Sequence, residues 1–454
     1  MQVIEERHNK ELEYVFLPFF DKKPTSLLIR GLPGAGKTTL ALELLRLVKD
    51  RYKPLYISTR VSLSRLQIQF PWIKGLIQED DIFSSSEINN KSEALDMRLS
   101  TAKGTMENVM NALTESKNRF IILDSWDALA KETQFEERIK MEKTMVTMAD
   151  ANDGFLLFIS EEPEKNTLAY VTDAVISLTA EDRYGFRIRK MIIDKMRTQP
   201  IKYNTRLYTL LDTRFILLPP MQSINPNNIA YACNTTNIFN YIGFKEGIVI
   251  LVESTLGVDT NIINMLLAPL IVNNLKNKKP ALVINSPDKL YTDSLQWIKP
   301  CCTDEELERL AIFTFINKTD LLDKPKVVAF DEHNIDKNTN VFISTYNTLC
   351  KEFGNPAIIT YDVGLREMAH PNNIDRFIAA INAHVKAVRH NGDILVIITK
   401  HGLKTAQYVK SIADVHINIW KENGLPLCII EKPTLGMYAL LFNKEKFYDM
   451  IDLM

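Results

Sequence analysis

Short runs of consecutive apolar residues recur along this chain, separated by stretches whose apolar positions fall three and four apart. Runs of the first kind read as strands buried on both faces, and stretches of the second as helices that cover them. The pattern therefore predicts an α/β fold with mainly parallel sheets. In the first half the strand candidates are 26–30, 54–60, 119–125, 154–160 and 173–178, then 186–197 after a turn at Tyr184-Gly185. Helices are expected at 37–51, 101–117 and 136–149, the last with Met141, Met145 and Met148 on one core-facing stripe. Residues 1–25 read as a mixed lead-in, and 71–104 as a connection with short helices.

A turn-rich stretch containing Pro219-Pro220 and Asn225-Pro226-Asn227-Asn228 has no periodicity and reads as a linker. The expected division is a first domain at 1–218, a linker at 219–236 and a second domain at 237–454. Beyond the linker the order of elements repeats. Strand candidates at 248–252, 357–362, 394–398 and 429–434 follow the sequence of those in the first half, and Asp414 precedes its strand as Asp173 does. Four matches in one order point to a duplicated domain.

The densest chemistry sits between the first strand and the first helix. Gly31-Leu32-Pro33-Gly34-Ala35-Gly36-Lys37-Thr38 fills every fixed position of the phosphate-loop pattern, and Thr39 continues it into the helix. Glycines let the backbone turn its N–H groups toward phosphate oxygens at a helix N-terminus. Lys37 would reach the β- and γ-phosphates, and Thr38 would offer its hydroxyl to Mg²⁺. The apolar run ending at Asp124 supplies a carboxylate for the same metal. Trp126 reads as a packing residue. ATP and Mg²⁺ are the cofactors this predicts.

The 454 residues carry a net charge of −1, with 46% hydrophobic and 24% charged residues. Such a balance gives no global field toward nucleic acid or membrane. No apolar run nears the ~18 residues of a spanning helix, and the polar, acidic start predicts no targeting peptide. A cytoplasmic protein is expected. The five cysteines, Cys233, Cys301, Cys302, Cys350 and Cys428, form no C-x-x-C and read as buried thiols.

The loop, the segment Ile121-Ile122-Leu123-Asp124-Ser125-Trp126-Asp127, and Asp173 to Leu178 followed by Ile192-Ile193-Asp194-Lys195-Met196-Arg197 together resemble RecA-superfamily ATPases of the KaiC-like branch. Within that branch they are similar to archaeal proteins of the gas-vesicle regulator GvpD type. The resemblance covers residues 26–218. It implies a RecA-like P-loop NTPase domain, and with the internal repeat two in tandem, a homo-oligomer, and a basic pair, Lys195 and Arg197, that projects into the next protomer's site. Arg187, Arg189, Lys195 and Arg197 share one parity, which in an unbroken strand would place them on one face.

One departure stands out. KaiC-like ATPases end the second strand with a Glu pair that activates water, whereas this chain has Thr59-Arg60. Arginine does not deprotonate, so it cannot be a general base. Glu161, Glu162 or Asp127 would then position the water, or hydrolysis is slow or absent. In the second half Gly257 falls on Gly34, Asp259 on Gly36, Thr260 on Lys37 and Asn261 on Thr38, and Thr434 falls on Arg197. A carboxylate where phosphate should approach costs several kcal/mol by repulsion, so the second domain reads as degenerate. The resulting expectation is an ATP-binding regulatory protein, a slow switch acting through a protein partner. Alternatives are a RecA-like ATPase of DNA recombination or repair, with a basic face near 183–202, and a KaiC-like autokinase.

Overall fold

The computed structural model describes residues 2–58, 61–78, 81–84, 102–131, 133–162, 167–197, 199–220, 224, 226, 246–287, 289–315, 326–331, 334–363, 367, 374–432 and 436–453. The Thr59-Arg60 pair, Cys233, Thr434 and most of the expected linker lie outside them. The chain divides into two compact units at residues 220 and 221.

The first unit holds a nine-stranded sheet. Its strands are β1 (Ser26–Gly31), β2 (Lys53–Ser58), β3 (Ile82–Ser84), β4 (Arg119–Asp124), β5 (Phe155–Ser160), β6 (Ala174–Arg183), β7 (Phe186–Met196), β8 (Thr205–Thr209) and β9 (Ile216–Leu217). They lie in the order β3-β2-β4-β5-β1-β6-β7-β8-β9. Pairing is parallel from β3 to β6 and antiparallel from there to β9. Strand β3 falls inside the stretch expected to be a connection. Three residues at a sheet edge are too few to show a strand period, and their parallel pairing to β2 supplies the order.

Helices cover both faces, which is why the central strands are apolar at consecutive positions. Helix α1 (Gln2–Phe20) and helix α2 (Lys37–Leu47) pack on one face against Leu27, Ile29, Phe120 and Ile122. Helices Ala102–Glu115 and Phe135–Ala151 pack on the other, against Leu28, Ile121, Leu123 and Phe158. Met141 and Met145 are buried there and Met148 packs at the margin, as expected. The lead-in is a helix rather than mixed structure. Its Phe19 and Phe20 are fully buried, with the Phe20 ring 5.1 Å from Phe155, itself 4.9 Å from Phe120. Truncating such a ring costs about 3–5 kcal/mol, so α1 belongs to the core.

The second unit has a ten-stranded sheet. It is built from β10 (Val249–Ser254), β11 (Ala281–Ile284), β12 (Leu310–Thr314), β13 (Lys326–Ala329), β14 (Ile358–Asp362), β15 (Ile394–Lys400), β16 (Val415–Glu422), β17 (Leu425–Lys432), β18 (Gly436–Asn443) and β19 (Phe447–Asp452). The order is β13-β12-β11-β14-β15-β10-β16-β17-β18-β19. With the edge strand β13 set aside, the two sheets have one topology. They also share an irregularity. The β6–β7 register shifts at Val175/Ile176, opposite Asp194, and the β16–β17 register shifts at His416/Ile417, opposite Glu431. Asp173 and Asp414 repeat each other too, accepting hydrogen bonds from Thr25 N and Val249 N at the start of β1 and β10.

The bulge corrects the parity expectation. One extra residue at Asp194 turns the rest of β7 over. Met191 and Ile193 share the α2 face, whereas Lys195 pairs with Val175, which faces the other helices. Arg187 and Arg189 therefore do not share a face with Lys195. The expectation of thiols only is corrected as well. Cys301 is disulfide-bonded, while Cys302, Cys350 and Cys428 are free.

Candidate functional site

The site grows from the turn between β1 and α2, at the C-terminal edge of the first sheet. Gly31 ends β1 at φ 154°, and a Cβ there would lie 2.4 Å from the Leu178 carbonyl oxygen. Leu32, Pro33 and Gly34 form an exposed crest, and Ala35 returns the chain to the core. Gly36 is the N-cap of α2 in the left-handed region, with φ 86°, and no side chain caps the helix. A side chain at Gly36 would collide with Leu210. A helix start without a side-chain cap is the arrangement that favours an anion. Tyr208 fixes the loop from beneath, its hydroxyl donating to the Ala35 carbonyl at 2.5 Å.

Lys37 is 7% exposed, and its Nζ donates to the carbonyls of Gly31 at 2.7 Å and Leu32 at 3.0 Å. Its ammonium is thereby folded back under the crest. Thr39 is buried behind it. Thr38 Oγ1 donates to Asp124 Oδ2 at 2.7 Å, across the sheet from the end of β4. The expected metal pair is therefore in contact. A hydroxyl and a carboxylate of this kind suit a hard divalent cation such as Mg²⁺. Tyr56, which sequence reasoning passed over, donates to the same Asp124 oxygen at 2.6 Å. Burial and then the Asp124 carboxylate push its hydroxyl pKa well up, so it stays a donor.

The remaining expected residues separate into two places. Glu161 follows β5, whose Ser160 is level with Arg30 and whose Ile159 is level with Asp124. It therefore stands at the loop's edge of the sheet, with Glu162 exposed beside it. Asp127 is engaged elsewhere. It accepts from the Glu161 amide at 2.7 Å and pairs with Arg138 at 3.0 Å, which also holds the buried Glu142. Trp126 is fully buried and donates to Glu142 at 2.7 Å, a packing role.

Lys195 and Arg197 stand at the opposite edge. Met196 is level with Ala174, and Ala174 with Leu27, four residues or about 13 Å back from Gly31. Lys195 Nζ donates to the carbonyls of Ala169 at 2.9 Å and Thr172 at 2.5 Å, closing the end of the short helix Leu168–Val171. Burial, then the neighbouring Arg197, lowers its pKa. Arg197 donates to Tyr170 O at 3.2 Å and is 54% exposed.

Residues 16–194 match the family model described as the GvpD gas vesicle protein, P-loop domain. The first unit is a GvpD-like P-loop domain. Protein GvpD2 of Halobacterium salinarum is 19% identical over 437 residues, covering 88% of this chain and 87% of that protein. Protein GvpD1 of the same organism is 25% identical over 211 residues, 43% of this chain and 38% of its own length. The GvpD2 likeness is too long to fit in one unit, so it extends past the P-loop domain into the second half. Among the described residues no helix is long and apolar enough to cross a membrane.

The second unit keeps the frame and replaces the phosphate-loop residues. Counting back from the helix Thr260–Lys276, Ser254 ends β10 at the same distance as Gly31 ends β1 before α2. Asp259 is the N-cap, in Gly36's place, and its own carboxylate takes the Asn261 amide at 2.8 Å. Asp362 pairs with Ile398 as Asp124 pairs with Ile159, and so is the counterpart of the metal carboxylate. Its partner is Lys289, whose Nζ lies 2.5 Å from Oδ2 with both residues 8% exposed.

Proposed function

We propose that the first unit binds Mg·ATP and that the chain works as a slow, ATP-dependent regulatory switch acting on a protein partner. The observation that carries this reading is the Thr38–Asp124 contact beside the uncapped N-terminus of α2, with Lys37 held under the same loop. Backbone amides and the Lys37 ammonium would hold the phosphates, while Thr38 and Asp124 would hold the metal. Magnesium, when bound, neutralises charge on the phosphate oxygens. The crest 32–34 would then close on the phosphates and reopen on their loss, giving the partner two surfaces to distinguish.

Slow turnover follows from the supply of bases. Asp127 is tied to Arg138 and to the Glu161 amide, which leaves Glu161, with Glu162 next to it, as the carboxylate that would orient water. The archaeal and KaiC-like parts of the reading and a homo-oligomer rest on the resemblance, and a cytoplasmic setting on the polar start and the lack of a long apolar run. Within such an oligomer Lys195 and Arg197 could act only on another copy's phosphates, since they sit at the far edge of their own sheet.

The test is calorimetric titration of ATP with Mg²⁺ into the full chain and into Lys37→Ala. The expected result is saturable binding to the wild type, weakened at least about 100-fold in the variant, in line with loss of a hydrogen-bonded charge pair worth ~3 kcal/mol or more. Equal binding by both proteins would remove the first unit as the ATP site.

A further inference from the structure

We propose that Tyr56 is a positioning residue that aims Asp124 at a divalent cation while leaving its negative charge intact. The proposal rests on the Mg·ATP reading and adds a residue to it. Tyr56 lies on β2, two residues before the strand's end, level with Ile122 of β4. Side chains two apart on a strand share a face, so Tyr56 is on the same face as Asp124 and reaches it diagonally. Tyr56 is 1% exposed in the apolar cluster beneath α2, and its hydroxyl touches Asp124 Oδ2 at 2.6 Å. Thr38 meets the same oxygen at 2.7 Å.

Both donors on Asp124 are neutral hydroxyls. When Thr38 turns toward a metal, Tyr56 would still hold one lone pair and so fix the rotation of the carboxylate. The other unit shows what happens without it. Tyr56 is level with Ile122, two residues before Asp124, and Val283 is level with Thr360, two residues before Asp362, so Val283 stands in the place of Tyr56. Valine cannot donate, and Asp362 is met by the Lys289 ammonium instead. That cation cancels the charge a metal would need. A tyrosine orients the carboxylate and cancels nothing.

Tyr56→Phe removes one oxygen and keeps the ring in the core. The full chain and this variant are titrated with ATP in Mg²⁺ and again in EDTA, with thermal melting measured alongside. Partners behind a metal ligand typically change metal affinity 10–100-fold, so about tenfold weaker binding is expected in Mg²⁺, with no more than about a twofold change in EDTA. Equal loss in both buffers would make Tyr56 a packing residue and overturn the proposal, as would no loss in either. Wild-type binding that is the same with and without Mg²⁺ would instead overturn the metal reading, and the role of Tyr56 with it.

Discussion

Asp124 and Asp362 occupy equivalent points of two sheets with one topology, yet one is held by two hydroxyls and the other by an ammonium 2.5 Å away. On the proposed reading, the difference would separate a nucleotide site from a scaffold. A buried carboxylate needs donors in either case, because an unpaired one is expensive. Neutral donors leave it able to attract a cation, whereas Lys289 satisfies it for good. The loops agree with the carboxylates. Gly36 leaves the α2 amides uncapped, and Asp259 caps its own helix with the kind of group that repels phosphate. On the reading proposed above, two independent changes, Asp259 at the loop and Lys289 beside Asp362, would close the second unit to a nucleotide–metal complex.

The sharpest break in this comparison comes from Lys289. Removing one member of a buried ion pair costs about 3–5 kcal/mol because the other is stranded, and replacing both by apolar residues recovers most of that. Lys289→Met should lower the second unit's protection in native-state hydrogen exchange by about 3 kcal/mol and leave the first unit's peptides unchanged. Lys289→Met with Asp362→Leu should return to within about 1 kcal/mol of wild type. If the single change is silent, Asp362 is satisfied by other means and the two carboxylates differ less than argued.

A smaller effect should follow acid. In the second unit His416 is fully buried, with Nε2 2.9 Å from Glu253 and Nδ1 3.0 Å from Glu431. His401 also meets Glu253, and Lys410 meets Glu431, both at 2.9 Å. Burial pushes both carboxyls up, but His416 with His401 and Lys410 outweighs it at Glu253, and Lys410 with His416 does so at Glu431. Both end below the usual range. A depressed folded-state pKa means the stabilisation is complete above about pH 4.3, the unfolded value, and is lost as pH falls through the folded values. The equivalent places in the first unit hold Arg30, Val175 and Asp194, with no histidine, so this acid-sensitive loss should map to the second unit. Glu253→Gln should cost about 1–2 kcal/mol at pH 7 for its charge-assisted bonds, and the gap to wild type should narrow as pH drops. A gap that is constant from pH 7 to pH 3 would refute the linkage.

What could be read from the residues alone was whatever depends on spacing within one segment. The phosphate loop, the Asp124 strand and the degenerate loop at Asp259 are local patterns, and each fell where its spacing said. Helix α1 was legible in part, since Leu12, Val15, Phe16 and Phe19 sit at i, i+3, i+4 and i+7, but Pro18 within it disguised the period. The other residues were hidden for physical reasons. Tyr56 looks like one more aromatic in a buried strand until β4 brings Asp124 beside it. Lys289 and Asp362 are 73 residues apart and meet only through the sheet order. The bulge at Asp194 adds a residue without interrupting an apolar run, so a parity count passes over it and assigns Lys195 to the wrong face.

Arg197 is where the smallest structural effect could carry the largest functional one. Its guanidinium lies 3.8 Å from Asp173 and is 54% exposed, a surface pair worth no more than about 0.5 kcal/mol. Lys195 beside it is bound to the helix-end carbonyls, so its loss confounds folding with function. Arg197→Ala should therefore melt with the wild type and bind ATP equally well. If a second copy's phosphates are its target, ATP turnover should fall by at least about tenfold, a modest share of what a trans-acting arginine supplies elsewhere. The fall should be reversed on mixing with Lys37→Ala, which keeps the arginine but lacks the loop lysine, because a mixed pair holds one site with both groups. Turnover unchanged in Arg197→Ala, or unrescued by mixing, would confine Arg197 to its own surface and leave the two units distinguished by their carboxylates and loops alone.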